Sequence, residues 1–260
     1  MLTADGVSRL ANRKRLVDRV SVRFESGRLN LILGANGAGK STLLKLLSGQ
    51  VRPDEGSVRY GSADARDLGL PALSRIRAVL SQSVDLAFSL RVREVVMMGR
   101  YPHFTGRPAA DDERACDEVM DLFDVSGFAR RDYLTLSGGE QQRVHFARVL
   151  AQIWYPVAGQ CRYLFLDEPL ASLDIFYQVE FMRKLQELRQ LSDLVIVGVV
   201  HDLNLAARFG DALVLLREGR VLAAGPKEAV LTRENIQAAF RLAPTLVRDD
   251  KGQRTIFVFE

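Results

Sequence analysis

The most informative segment of the sequence is LNLILGANGAGKST, which spans Leu29 to Thr42. Its mostly apolar first half predicts a buried strand, and the KSTLL that follows the glycines predicts the start of a helix. Between them, residues 34–41 match the phosphate-binding pattern G-x-x-x-x-G-K-[ST]. Glycines let backbone N–H groups approach an anion without side-chain clashes. The segment therefore predicts a strand, a phosphate-binding loop and a helix in succession.

Each part of this loop has an expected role toward a nucleotide. The loop N–H groups and the positive end of the helix are expected to hold the α- and β-phosphates. Lys40 is expected to reach the β- and γ-phosphates, and the Ser41 hydroxyl to ligate Mg²⁺. The predicted nucleotide-binding residues are Gly34, Ala35, Asn36, Gly37, Ala38, Gly39, Lys40, Ser41 and Thr42. The alternative, a glycine-rich turn that matches by chance, fits the strand–loop–helix context less well.

The composition favours a folded α/β protein with one large domain or a core and a subdomain. Apolar residues make up 47% of the 260 residues, and the net charge of +4 is too small to indicate a nucleic-acid partner. Cys116 and Cys161 lack metal-ligand spacing and favour a reducing compartment. No segment approaches the ~20 apolar residues that span a bilayer, and the N-terminus does not resemble a signal segment. We therefore expect a cytoplasmic protein that meets a membrane only through a partner.

Apolar periodicity predicts strands that alternate with helices. We predict strands at 20–24, 29–33, 57–60, 76–81, 162–166 and 194–200, with hairpins at 213–224 and 246–259. We predict helices at 42–48, 92–100, 111–122, 138–153, 179–191 and 202–209, and two short ones framed by Pro226 and Thr232. Residues 13–15 and 101–108 are expected to be loops. The alternation implies a parallel-sheet α/β core in two parts, 1–83 and 151–260, separated by a helical insert at 84–150.

Three polar segments lie where strands are predicted to end or helices to begin. Asp167 and Glu168 follow an apolar strand, and they suit a Mg²⁺ ligand and a base that orients water for attack on the γ-phosphate. His201 follows the next strand, and ligands of such sheets bind beyond the carboxyl ends of strands. Ser137 begins a Ser-Gly-Gly segment that precedes a long predicted helix. This segment is typical of a helix cap and also of an anion-binding site. The alternative is that the acids are solvated and the histidine is a packing residue.

The sequence resembles the ATP-binding subunits of ABC transporters through six segments in that family's order. The signature loop of the family corresponds to LSGGEQ at residues 136–141, and its Mg²⁺/base segment to LFLDE at residues 164–168. Gln82 corresponds to the family's Gln loop, residues 172–174 to its D-loop and His201 to its switch histidine. With the phosphate loop, these motifs span residues 30–205. The resemblance implies the P-loop NTPase fold of an ABC ATPase with an antiparallel β edge and an inserted helical subdomain.

The resemblance also implies roles that the residues alone do not give. ATP and Mg²⁺ are the expected cofactors, with Glu168, His201 and Gln82 catalytic and with Ser41, Gln82 and Asp167 around the metal. Ser137, Gly138, Gly139 and Asp174 would act across a head-to-tail homodimer that encloses two ATP molecules. Two copies of a transmembrane permease, and indirectly a periplasmic substrate-binding protein, would complete the assembly at the cytoplasmic face of the inner membrane. No nucleic acid is implied.

Two features of the sequence concern the nucleotide base and the transported substrate. The family usually has an aromatic residue near position 11 that stacks on adenine, and Ala11 stands here among residues that offer none. Segments 98–103 and 200–207 resemble the iron-chelate, vitamin B12 and haem importers, and the long link at 152–161 resembles the haem importers among them. We therefore expect a haem importer subunit. Import of a ferric siderophore or vitamin B12, or a soluble or exporter ABC ATPase, stays open as an alternative.

Overall fold

The computed structural model describes residues 1–11, 14–81, 88–171, 173–248 and 255–259. The strands in these ranges are β1 (Leu2–Ala11), β2 (Lys14–Phe24), β3 (Leu29–Gly34), β4 (Glu55–Tyr60), β5 (Ala63–Asp64), β6 (Arg77–Leu80), β7 (Arg162–Asp167), β8 (Leu194–Val199), β9 (Ala212–Arg217), β10 (Arg220–Pro226), β11 (Thr245–Arg248) and β12 (Thr255–Val258). The α-helices are α1 (Lys40–Leu47), α2 (Leu70–Ile76), α3 (Val92–Met97), α4 (Ala110–Leu122), α5 (Gly138–Gln152), α6 (Ile175–Leu188), α7 (Leu203–Phe209), α8 (Lys227–Val230) and α9 (Arg233–Phe240). Short 3-10 helices cover Met98–His103, Ser126–Phe128 and Tyr133–Thr135.

The central sheet has the strand order β10-β9-β3-β8-β7-β6. Five of these strands run parallel, and β10 pairs antiparallel with β9. Strands β3, β7 and β8 are buried along their whole length, as expected for parallel strands covered on both faces. Because β3, β8 and β7 are neighbours in the sheet, their carboxyl ends at Gly34, Val199 and Asp167 meet at one edge.

A second, antiparallel sheet has the order β2-β1-β4-β5, and α1 lies between it and the central sheet. Leu43, Leu44, Leu46 and Leu47 of α1 are all buried in one cluster with residues of β1, β2, β7 and β8. A helix that is apolar on more than one face is stable only where it is enclosed. The helix that follows the phosphate loop is therefore held from both sides.

The described part of the insert is helical and packs on the other face of the central sheet. Helices α3, α4 and α5 share one apolar cluster with α6 and with β3, β7 and β8. The rings of Phe146 in α5 and Phe181 in α6 stack with their centroids 3.9 Å apart, and Phe123 lies beside both. This aromatic contact joins the insert to the second part of the core.

The architecture confirms the predicted α/β class, the antiparallel β edge and the helical insert. The structure also contains each predicted strand and helix, with ends that differ by up to six residues. The closing hairpin is present as β11 and β12, and it is fixed to α7 by two hydrogen bonds between Asn204 and the backbone of Phe257. The proposed limits at residues 83 and 150 stay a prediction. Within the described ranges, no helix is both long enough and apolar enough to cross a membrane.

Two loop predictions were wrong in part, since residues 104–108 do form a loop and residue 13 lies outside the described residues. Lys14 and Arg15 are not in a loop, because they begin β2, an edge strand on which charged side chains remain exposed. Residues 101–103 lie in a 3-10 helix that continues α3. Buried Arg100 fixes this segment, because its guanidinium donates to Asp112 at 2.9 Å and to the Ala151 carbonyl at 2.8 Å.

The strand signals before residue 33 also predicted too little structure. The structure has two long strands there, β1 and β2, instead of short ones. Their pairing shifts register at several points, which hides the two-residue alternation of apolar side chains in the sequence.

Candidate functional site

The phosphate-binding loop follows β3 and ends at α1, as the sequence predicts. Gly39 has φ +99°, which side-chain-bearing residues rarely adopt, and it stands directly before the first residue of α1. A Cβ on Gly39 would lie 2.4 Å from the carbonyl oxygen of Leu16 in β2. Only glycine satisfies both conditions, so the loop passes close beneath the antiparallel sheet.

Lys40 is folded over the loop rather than extended into solvent. Its side chain is buried, and its Nζ donates to the carbonyls of Gly34 at 2.9 Å and Ala35 at 3.1 Å. Burial lowers the pKa of the Lys40 ammonium, and the carboxylates of Asp167 and Glu168 act against that shift. The cation therefore sits among loop carbonyls and strand-end acids, where a phosphate would be stabilised.

Ser41 in the first turn of α1 and Asp167 at the end of β7 lie next to each other. Ser41 Oγ donates to Asp167 Oδ1 at 2.9 Å. Burial raises the pKa of the Asp167 carboxyl, which the Ser41 hydrogen bond and the nearby lysines oppose. A hydroxyl and a carboxylate are the hard oxygen ligands that Mg²⁺ takes, usually with phosphate oxygens and water supplying the rest. The donor set fits Mg²⁺ bound together with a nucleotide, although no cluster of three or more His, Cys, Asp or Glu side chains suited to a metal occurs among the described residues.

Glu168 and His201 form the second contact at this edge. His201 Nε2 lies 2.6 Å from Glu168 Oε1. Glu168 has φ +51°, an uncommon conformation for a glutamate, and such strain clusters at functional sites. The Glu168 side chain is mostly buried and that of His201 is half-exposed, so the pair stands at the rim of the site, where a water molecule can reach it.

The signature segment, residues 136–141, contains the start of α5, and its second residue, Ser137, is the N-cap of that helix. Ser137 N donates to Glu140 Oε2 at 2.7 Å and Glu140 N donates to Ser137 Oγ at 3.4 Å, which together form a capping box, and Ser137 Oγ also donates to Glu140 Oε2 at 2.8 Å. The Ser137 backbone N–H lowers the pKa of the Glu140 carboxyl. Gly138 is exposed and Gly139 is partly buried, and a Cβ on either would meet no atom within 4 Å. Open space therefore lies in front of this helix start.

Other predicted site residues lie outside this cluster or outside the described ranges. Asp174 caps α6 by accepting from the Tyr177 N–H at 3.0 Å, and its role toward a second subunit stays a prediction. The Gln82 prediction lies outside the described residues, as does Ser172 of the D-loop. Arg9, two residues before the position where the family usually has its adenine-stacking aromatic residue, forms an ion pair with Asp54 at 2.8 Å. Ala11 is exposed at the end of β1.

Two supporting contacts were missed at the sequence level. Gln142 in α5 donates to the carbonyl of Pro169, the residue after Glu168, at 3.2 Å. Gly219, between β9 and β10, donates its N–H to the Ala38 carbonyl in the phosphate loop at 3.0 Å. The first contact could have been suspected from the sequence, since Gln142 directly follows the signature segment on the same helix. The second could not, because residues 38 and 219 are distant in sequence.

Known proteins resemble the chain in both sequence and fold. A family model described as ABC transporter matches residues 17–171. The hemin import ATP-binding protein HmuV of Escherichia coli O157:H7 is 39% identical over 260 residues, which cover 100% of both chains.

Two solved structures resemble the fold over most of its length. An ABC transporter assigned to the metal-chelate type, in an inward-facing conformation, has a TM-score of 0.83 and 25% identity, covering 100% of this chain and 96% of that one. A bacterial ABC transporter cassette solved as a dimer has a TM-score of 0.75 and 26% identity, covering 87% and 99%. Both likenesses extend far beyond the phosphate loop.

Proposed function

Since the chain belongs to the ABC transporter ATP-binding family, we propose that it is the ATP-hydrolysing subunit of a haem importer. The observation that carries the hydrolytic part is the meeting of two polar pairs at one edge of the central sheet. Ser41 contacts Asp167 at 2.9 Å and Glu168 contacts His201 at 2.6 Å, beside a loop of phosphate-binding pattern. One pair of side chains that can bind a metal, and a second pair that contains a general base, both beside a phosphate loop, suit hydrolysis of a nucleoside triphosphate.

In this proposal each side chain has one task. The loop N–H groups and Lys40 would bind the phosphates, and Ser41 and Asp167 would hold Mg²⁺, which would offset the negative charge of the phosphates. Glu168 accepts a proton from the attacking water. His201 orients Glu168 through its Nε2 and faces the γ-phosphate. Gln82 is proposed to contact both the metal and the attacking water.

The signature residues are proposed to act on a nucleotide held by a second copy. Ser137, Gly138 and Gly139 present a hydroxyl and N–H groups at the positive end of a 15-residue helix, which suits a phosphate. The unfilled space next to Gly138 and Gly139, and the dimeric state of the similar cassette, support a head-to-tail homodimer. Asp174, at the start of α6, would lie at the same interface.

We further propose that the subunit acts at the cytoplasmic face of the cell membrane under two permease copies. Phe88 and Tyr101 are exposed apolar side chains at the two ends of the segment that contains α3, and they suit a short helix of a permease. A periplasmic binding protein would deliver the substrate to that permease. Haem is favoured because the full-length relative is a hemin import protein and because residues 152–161 form a long connection to β7.

Growth of the source cell with haem as the sole iron source tests this proposal. Glu168→Gln removes the base but keeps the size of the side chain, and Glu187→Gln in α6 is a matched control far from the strand ends. Failure of Glu168→Gln on haem, with normal growth on a ferric siderophore and on vitamin B12-dependent medium, supports haem import. Failure on a siderophore or vitamin B12 instead assigns that substrate. Normal growth of Glu168→Gln on all three would contradict the proposal.

A further inference from the structure

The phosphate loop is supported from outside by two backbone segments. The Ala38 carbonyl accepts from Gly219 N at 3.0 Å, and the Gly219 carbonyl accepts from Asp18 N at 2.8 Å. A Cβ on Gly219 would lie 2.9 Å from the Leu16 carbonyl, the same oxygen that approaches Gly39. The loop, the β9–β10 turn and β2 are therefore packed backbone against backbone.

The side chain of Asp18 ties these outer segments together. Its carboxylate is buried, and Oδ2 accepts from Arg220 Nε at 2.8 Å and from Arg220 Nη2 at 2.6 Å. Oδ1 accepts from Arg15 Nη1 at 2.7 Å. Arg220 directly follows Gly219, so the ion pair joins β2 to β10 beside the turn that contacts the phosphate loop. The hydrogen bond from Arg220 lowers the pKa of the Asp18 carboxyl, which stays ionised at neutral pH.

We propose that Asp18 is a positioning residue for nucleotide binding, acting through Arg220 and Gly219 on the Ala38–Gly39 part of the loop. This inference rests on the proposed ATP-binding function. None of the contacts of Asp18 reaches the loop interior, so its carboxylate influences the phosphates only by fixing where the loop backbone lies. Loop N–H groups bind phosphate well only when they are held in place, since small displacements weaken several hydrogen bonds together.

The proposal predicts a specific pattern of nucleotide affinities. Asp18→Asn keeps the shape of the side chain but removes the charge that holds Arg15 and Arg220. ATP and ADP share the β-phosphate, so both should bind about tenfold more weakly. The rate constant kcat at saturating ATP should stay within about twofold of wild type, because Glu168 and His201 are untouched.

A matched control separates this role from general destabilisation. Asp64 at the opposite edge of the same sheet also has a mostly buried carboxylate, bound by Arg66 through two hydrogen bonds of 3.0 and 2.8 Å. Asp64→Asn should leave both nucleotide affinities unchanged. Arg220→Gln changes an exposed side chain, so it tests the same link even where Asp18→Asn fails to fold.

The experiment is equilibrium titration of the folded full chain with ATP and with ADP, alongside steady-state hydrolysis. A shared loss of affinity in Asp18→Asn and Arg220→Gln, with no further loss in the double variant, supports the proposal, because residues acting through one contact are not additive. The proposal would be overturned if Arg220→Gln, and Asp18→Asn where it folds, bound both nucleotides as tightly as the wild type. It would also be overturned if Asp64→Asn lost as much nucleotide affinity as these two variants. Absence of ATP and ADP binding by the wild type would overturn the proposed function as well.

Discussion

Replacing Gly39 by alanine should cost both stability and nucleotide affinity. The new Cβ would lie 2.4 Å from the Leu16 carbonyl, about 1 Å inside ordinary van der Waals contact. The backbone at φ +99° adds about 1–2 kcal/mol of strain for a residue with a Cβ. Overpacking of this kind costs a further ~1–3 kcal/mol. We therefore expect a loss of about 3 kcal/mol in the free energy of unfolding, or a fall in Tm of about 6 °C for a chain of this size.

Gly61 supplies the control for this prediction. It has φ +64° in the turn between β4 and β5, and a Cβ there would meet no atom within 4 Å. Gly61→Ala therefore adds strain without a clash, and its Tm should fall by only ~2 °C. Scanning calorimetry of the nucleotide-free protein measures both values, and titration with ADP should show about 100-fold weaker binding for Gly39→Ala alone. Equal Tm values for the two variants, or normal ADP binding by Gly39→Ala, would refute the close packing of the loop under β2.

Two further predictions concern the start of β7 and the reactivity of the cysteines. Asp193→Ala removes the carboxylate that binds the buried Arg162 guanidinium through two hydrogen bonds of 2.7 and 2.8 Å, and leaves this cation with the carbonyls of Ile153 and Trp154 as acceptors. It should lower the free energy of unfolding in a denaturant titration by about 3 kcal/mol. Removing the partly exposed Glu180, which pairs with Arg183 at the surface, should cost under ~0.5 kcal/mol. Equal losses would contradict the buried pairing. Burial raises the pKa of the Cys116 thiol to about 12. A thiol reagent at pH 8 should therefore label partly exposed Cys161 and leave Cys116 unlabelled until the protein unfolds. Rapid labelling of Cys116 in the folded protein would contradict its burial.

The sequence predicts those parts of the site that rest on local patterns. The phosphate loop, the acids after β7 and the histidine after β8 each follow an apolar strand, and parallel strands bring their carboxyl ends to one edge. The contacts of Ser41 with Asp167 and of Glu168 with His201 therefore follow from the order of elements. The distances between these side chains do not, because they depend on the stagger of neighbouring strands.

The support behind the loop could not be predicted in this way. Asp18 and Arg220 are 202 residues apart in sequence, and they meet only because two sheets enclose α1. Arg19, next to Asp18, has φ +47°, which breaks the alternation by which a strand is recognised. The predicted strand at 20–24 is therefore shorter than β2 and does not include Asp18. Local patterns identify the groups that perform the chemistry, while tertiary packing determines what holds them.

We propose that Glu168 is the base in a site that two copies of the chain complete around ATP. The most direct test is the mass of the Glu168→Gln protein in solution with Mg²⁺ and ATP, together with its bound nucleotide. We predict a dimer of 29.0 kDa subunits that holds two unhydrolysed ATP molecules, and a return to monomer when Ser137 is also replaced by a bulky residue. A Glu168→Gln protein that hydrolyses ATP at the wild-type rate, or that stays monomeric with ATP bound, would contradict the account.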